Sequence, residues 1–208
     1  MPFNDANYLT LQSTFHFTRQ GAPLGLGHAV GVARDHVGDE PFAVLLPDDL
    51  LDDPAGLAGM LTTFEERGGS VIALVEYTAE QITSLGAVDP EPLDDLIYRI
   101  RGIVEKPPLG TAPSNFAVVG RYVFTPQLFD ALDETEPGVG GEIQLTDAIG
   151  LLNETQPVFG YELPVRRFDI GKKLDYLKTT VELALSHPQL GDDFRAFLAE
   201  VAAREDLG

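Results

Sequence analysis

The sequence predicts an α/β fold: a mixed and mostly parallel sheet with helices on both faces. Short β-branched or aromatic runs alternate with longer helical patterns, as where the run at 42–46 precedes an amphipathic stretch over 54–67. The run at 70–77, SVIALVEY, is nearly continuously apolar, the pattern of an inner strand covered on both faces. Glycine-rich or acidic turns follow the strand-like runs, where open α/β sheets bind ligands.

The elements follow in order. Residues 14–18, TFHFT, alternate as a strand, and after Gly25 the apolar residues Leu26, Ala29, Val30, Ala33 and Val37 recur at helical spacing. Two further strands are predicted at 98–104 and 116–124, joined through the turn Lys106-Pro107-Pro108-Leu109-Gly110. Helices are expected over 127–133, 142–154, 173–186 and 192–203, with a short strand at 158–163. The break at His187-Pro188 divides a main domain, residues 1–186, from a helical appendage, residues 187–208. Phe194, Phe197, Leu198 and Val201 of that appendage need a surface to cover, on this chain or on a second subunit.

Bulk properties narrow the function classes. Acidic residues outnumber basic ones 33 to 14, and a net charge of -19 argues against a broad nucleic-acid or anionic-membrane surface. Any anionic ligand must therefore be held locally. Cysteine is absent, which excludes disulfides, thiolate metal sites and cysteine nucleophiles. No apolar stretch approaches membrane-spanning length, and Met1-Pro2-Phe3-Asn4-Asp5 lacks the basic start of a secretory signal, so the cytoplasm is the expected compartment.

Three groups of residues suit chemistry. Gly25 and Gly27 let backbone approach a flat ligand and Gln20 offers a donor and an acceptor to a base edge, although such a turn also serves as a tight connection. Asp48 and Asp49 end a strand, where a carboxylate holds a hard cation or simply caps a helix. Glu105 and Lys106 stand side by side at another strand end, either as ligand groups or as an exposed ion pair. Gly86 fits a ligand wall or a plain turn, and His28 fits a structural helix position.

Arg19-Gln20-Gly21-Ala22-Pro23-Leu24-Gly25-Leu26-Gly27-His28, Leu46-Pro47-Asp48-Asp49, Val104-Glu105-Lys106-Pro107 and Phe168-Asp169-Ile170-Gly171-Lys172-Lys173-Leu174 occur in that order. With them the chain, from Phe15 to its end, resembles the bacterial UDP-glucose pyrophosphorylases, or UTP:glucose-1-phosphate uridylyltransferases. The resemblance implies a Rossmann-like nucleotidyltransferase sheet and Mg²⁺-dependent transfer of a uridylyl group from UTP to glucose 1-phosphate, giving UDP-glucose and pyrophosphate. It implies uracil recognition by Gln20 and Gly25, Mg²⁺ ligation by Asp48 and Asp169, glucose contacts from Gly86 and Glu105, and a phosphate contact from Lys106. Lys173 is a further phosphate candidate, although the family usually has asparagine at the place of Lys172 and glycine at that of Asp175. Ser114-Asn115, Arg121-Tyr122 and residues 141–147 match family segments that wall the sugar pocket.

The family's triphosphate loop, GxGTR followed by a lysine, precedes the RQ segment, and these 208 residues contain no such loop. The expectation is a chain without the N-terminal strands, with little turnover alone and with a tendency to self-associate into a homo-oligomer. A non-catalytic sugar-nucleotide-binding relative and a thymidylyltransferase-like sister enzyme are the alternatives.

Overall fold

The computed structural model describes residues 14–206, so residues 1–5, inspected above for a secretory signal, and the last two residues of the appendage lie outside it. Among the described residues the strands are β1 (Phe42–Leu45), β2 (Asp49–Leu51), β3 (Ser70–Glu76), β4 (Gly86–Asp94), β5 (Ile97–Glu105), β6 (Phe116–Phe124), β7 (Val158–Glu162) and β8 (Arg167–Asp169). The helices are α1 (Leu26–Gly31), α2 (Arg34–Val37), α3 (Ala55–Arg67), α4 (Ala79–Ile82), α5 (Leu128–Glu134), α6 (Leu145–Thr155), α7 (Lys173–Ser186) and α8 (Gly191–Arg204). Six strands build one sheet in the order β1-β6-β3-β7-β5-β4, while β2 and β8 form a separate two-stranded ribbon.

Side-chain alternation along β3 explains its unbroken apolar run. Ile72 and Leu74 face a core shared with Val118, Tyr122 and Phe124 of β6 and with residues of α5 and α6. Val71 and Ala73 face the opposite side, against Val119, Val123 and Met60 of α3. Helices therefore cover both faces, as expected. All four of these β3 side chains are fully buried, and burial of each larger one is worth about 1.5–3 kcal/mol.

The balance of strand directions differs from the expectation of a mostly parallel sheet. Among the described ladders only β3–β7 is parallel; β1–β6, β3–β6, β4–β5, β4–β6 and β5–β7 are antiparallel. β1, β3 and β7 do point the same way, but β6 is inserted between β1 and β3 and runs against both. The helices on the two faces, not the strand direction, make β6 apolar on both sides.

Two local expectations also change. Residues 14–18 form no strand: they find no ladder partner, and Phe15 and Phe17 stay exposed. The helical pattern after Gly25 divides into α1 and α2 at Val32 and Ala33, where Ala33 donates back to Val30 at 3.0 Å. Beyond the sheet, α7 and α8 are separated at 187–190 and pack on each other, leaving Leu174, Leu177 and Phe197 more than half exposed. No helix among the described residues is long and apolar enough to cross a membrane.

Candidate active site

The acidic centre is built by the β2–β8 ribbon. β1 ends at Leu45, the chain turns at Pro47 and Asp48, and β2 returns antiparallel to β8 with Asp49 opposite Asp169 and Leu51 opposite Arg167. The Ile170 amide donates to the Asp48 carbonyl at 2.8 Å. A Cβ placed on Gly171 would lie 3.0 Å from Asp48 Oδ2 and 3.2 Å from Asp169 Oδ1, so the two carboxylates face one point above that glycine. The Gly171 amide holds Asp169 Oδ1 at 3.0 Å. Two hard oxygen donors converging on a space that only glycine leaves open fit a divalent cation. No set of three or more His, Cys, Asp or Glu residues suited to a metal occurs among the described residues, so water and ligand oxygens would supply the rest of the coordination shell.

Beneath these carboxylates lies a buried network. Asp49 is 4% exposed; its Oδ1 accepts from Arg167 Nε and its Oδ2 from the Gly120 amide at 2.5 Å. Arg167 Nη1 donates to Tyr77 Oη at 2.5 Å, and Nη2 stands 3.5 Å from Asp169 Oδ2. Burial opposes the Arg167 charge, but the bond to Asp49 and its neighbouring charges outweigh this and hold the guanidinium above its usual range. The buried Arg121 guanidinium donates to the carbonyls of Leu46, Gly120 and Asp49, tying the Asp48 turn to β6.

A second group gathers where β4 and β5 pair. Gly86 lies opposite Glu105, and a Cβ on it would meet Thr146 Oγ1 at 3.1 Å and Glu105 Oε2 at 3.4 Å. The Lys106 ammonium lies 3.1 Å from Glu105 Oε1, while the Lys106 backbone adopts a left-handed φ of 45° that few side chains favour. Asp147, next to Thr146, has its pKa raised by burial and then by the Glu105 charge.

The third group is the glycine-rich loop. Gln20 Nε2 donates to the Gly25 carbonyl at 3.0 Å and lies 2.8 Å from His28 Nδ1, so His28 anchors the amide rather than a metal. Among the described residues nothing bonds Gln20 Oε1, which leaves an acceptor for a ligand donor. Gly25 has φ 102°, and a Cβ there would strike the Ile143 carbonyl at 2.6 Å. Gly27 N–H donates to that same carbonyl at 2.9 Å, and Ile143 N–H donates to Leu24 at 2.8 Å.

These three groups are linked through α6 and the buried Tyr122. The Ile143 loop that clamps Gly25 runs directly into α6, which carries Thr146 to Gly86 and Glu105. The phenol of Tyr122 is pushed up by burial and then by the charges of Asp49, Glu105 and Asp48, so carboxylates of the acidic centre and of the β4–β5 group act on one buried side chain. Lys173 is apart from them in its contacts: it is exposed at the first position of α7 and makes no ion pair among the described residues. The cavity of about 440 Å³ bounded by Arg34, Asp39, Gln127 and Phe129 includes none of the predicted residues.

Sequence reasoning passed over Arg167 and Tyr77, whereas Thr146 lies in the 141–147 segment that the resemblance already assigned to a pocket wall. The signal for Arg167 was present: Arg167 and Asp169, two apart in a strand, share a face. Tyr77 is brought in only by tertiary packing, through its contact with Arg167.

Comparison with known proteins adds family information. A nucleotidyl transferase family model matches residues 3–185. The UTP–glucose-1-phosphate uridylyltransferase of Bacillus subtilis is 45% identical over 193 residues, 92% of this chain and 66% of that protein. A crystal structure of UDP-glucose pyrophosphorylase complexed with UDP-glucose superposes with a TM-score of 0.77 at 37% identity, over 80% of this chain and 64% of the other. The UTP-bound UGPase from Acinetobacter baumannii gives 0.79 at 40% identity, over 88% and 64%. The chain thus spans about two thirds of the length of the relatives it matches.

Proposed function

Because the chain belongs to the nucleotidyl transferase family, we propose that it serves the transfer of a uridylyl group from UTP to glucose 1-phosphate, yielding UDP-glucose and pyrophosphate. The observation that carries this reading is the convergence of Asp48 and Asp169 above Gly171. Similarity to uridylyltransferases and to structures holding UDP-glucose and UTP supports the choice of nucleotide and sugar.

In the reaction a phosphate oxygen of glucose 1-phosphate forms a bond to the α-phosphorus of UTP, and the bond from that phosphorus to the bridging oxygen of pyrophosphate breaks, the electron pair leaving with pyrophosphate. Positioning and charge neutralisation carry such transfers. Gln20 Oε1 accepts from the uracil ring while the side-chain-free face of Gly25 lets the base lie close. Glu105 accepts from hexose hydroxyls against the backbone of Gly86. Lys106, held beside Glu105, directs its ammonium at the sugar phosphate. Asp48 and Asp169 would hold Mg²⁺, whose chemistry there would be to neutralise phosphate charge, so that a protein of charge -19 could accept a triphosphate. Lys173, at the start of α7, supplies a further phosphate contact. We place the activity in the cytoplasm and in a homo-oligomer, with residues 1–186 as the nucleotidyltransferase-like domain and 187–208 as its helical appendage.

Incubation with UTP, glucose 1-phosphate and Mg²⁺, with pyrophosphate and UDP-glucose both quantified, tests the reading, and calorimetry with UDP-glucose and dTDP-glucose tests the pocket. UDP-glucose should bind more tightly than dTDP-glucose. Failure to form and to bind UDP-glucose overturns the assignment; preference for dTDP-glucose transfers it to the thymidylyl sister enzymes.

A further inference from the structure

The network beneath the acidic centre carries an assignment of its own. Asp49 is buried and engaged at both oxygens, by Arg167 and by the Gly120 amide. The same guanidinium is fixed at its other end by Tyr77 Oη, 2.5 Å away, yet reaches Asp169 only at 3.5 Å. Its strongest bond thus goes to a carboxylate that faces inward, next in sequence to Asp48, and its weakest to one that faces the cation space.

Without Arg167, the carboxylates of Asp48, Asp49 and Asp169 would crowd the end of one ribbon with like charge. Without Asp49 and Tyr77 to hold it, the guanidinium would be free to close on Asp169 as a bidentate pair and occupy that carboxylate. The observed arrangement does neither. We infer that Arg167, held by Asp49 and Tyr77, is a positioning residue that fixes the separation of Asp48 and Asp169 while leaving Asp169 open to a divalent cation. This rests on the two-aspartate cation site proposed above.

Charge-conserving variants separate geometry from simple electrostatics. Arg167→Lys keeps the positive charge but loses the planar fork, and Tyr77→Phe removes only the hydroxyl. Mn²⁺ binding, followed by water-proton relaxation with UDP-glucose present, should weaken about 10-fold in Arg167→Lys and by a smaller factor in Tyr77→Phe, in line with other groups that orient metal ligands. Binding of UDP-glucose in EDTA should stay unchanged in both. If Arg167→Lys loses its cooperative fold, Tyr77→Phe alone decides. Mn²⁺ affinity within about twofold of the parent in the folded variants, or a parallel loss of cation-free UDP-glucose binding, overturns the inference. An Asp48→Ala variant that still binds Mn²⁺ like the parent overturns the cation site and this inference with it, whereas dependence on Asp48 but not on Arg167 or Tyr77 overturns the inference alone.

Discussion

Gly86 and Glu105 face each other across the β4–β5 ladder, and the position of the missing Gly86 Cβ is 3.4 Å from Glu105 Oε2 and 3.1 Å from Thr146 Oγ1. Absence of a side chain keeps the glutamate's oxygen accessible beside bare backbone. Gly86→Ala should therefore fold, with about 1–3 kcal/mol lost to local adjustment, yet bind UDP-glucose about 10-fold more weakly because the methyl group crowds the Glu105 carboxylate. Calorimetry with UDP-glucose and with UDP checks it. An equal loss for both ligands would place the glycine outside the hexose contact.

Glu105→Gln retains shape and removes the negative charge that anchors Lys106 at 3.1 Å. A hydrogen bond to a charged group is worth about 1.5–3 kcal/mol, so roughly a 10- to 100-fold loss is expected in the glucose 1-phosphate term. Affinity for UTP should change little. Steady-state kinetics with each substrate varied in turn distinguishes the two effects, and a mutant impaired only toward UTP would reverse the roles.

The two strands that carry these residues were unequally visible in the sequence. β5 was legible because Tyr98, Ile100 and Ile103 give a β-rich apolar pattern, whereas its partner β4 contains Asp89, Pro90, Glu91, Pro92 and Asp94, residues poor in strand propensity. Pairing with β5 along an edge overrides that weakness. β2 and β8 are three residues each, too short for periodicity to register, and only their mutual pairing brings Asp48 to Asp169. Burial on both faces was visible in β3 but not in β6, which was read from alternation alone, and strand direction was not visible, since helices on both sides produce the same apolar run whichever way a strand points. Asp48, Glu105 and Gln20 stood out because of their local setting; Tyr77 matters through a contact with Arg167 that no local window contains.

Gly25 tests whether the glycine-rich loop is built for the backbone rather than for chain flexibility. Its φ of 102° with ψ of 172° belongs to a region essentially reserved for glycine, and an added Cβ would sit 2.6 Å from the Ile143 carbonyl. Gly25→Ala should cost about 2–4 kcal/mol in thermal or denaturant unfolding from strain and overlap together. It should also break the Gly27–Ile143 and Ile143–Leu24 bonds and weaken UDP binding. A stable variant with parent-like UDP affinity would show that the loop reaches its ligand by another route.

Tyr98 offers a pH-dependent readout outside the site. Its hydroxyl donates to Glu162 Oε2 at 2.7 Å, and this bond, then burial, pushes its pKa up to about 12. For a folded-state pKa raised above the unfolded value near 10, the stabilising contribution is complete below about pH 10 and is lost as pH climbs through the folded value. The chain has six tyrosines and no tryptophan, so tyrosinate absorbance is readable without interference. Tyr98→Phe should remove one late-titrating phenol and lower the melting temperature at pH 8, with the difference shrinking above pH 11. A difference that persists unchanged to pH 12 would assign the effect to packing instead of the hydroxyl.

Asp48 and Asp169 predict opposite responses of stability and function. Their oxygens face the same point above Gly171, so in the absence of a cation they repel each other, softened by the exposure of both side chains and by salt. Asp48→Asn should therefore leave the cation-free protein as stable as the parent or more so by about 0.5 kcal/mol, roughly 1–2 °C in melting temperature. With UDP-glucose present throughout, added Mg²⁺ should then raise the melting temperature of the parent further but not that of the variant, because the cation stabilises only a native state that binds it. Turnover should fall by at least about 100-fold as phosphate charge goes uncompensated. Scanning calorimetry in EDTA and in Mg²⁺ provides both arms. A variant destabilised in EDTA would make Asp48 a structural turn residue, and one still stabilised by Mg²⁺ as strongly as the parent would move the cation to other ligands.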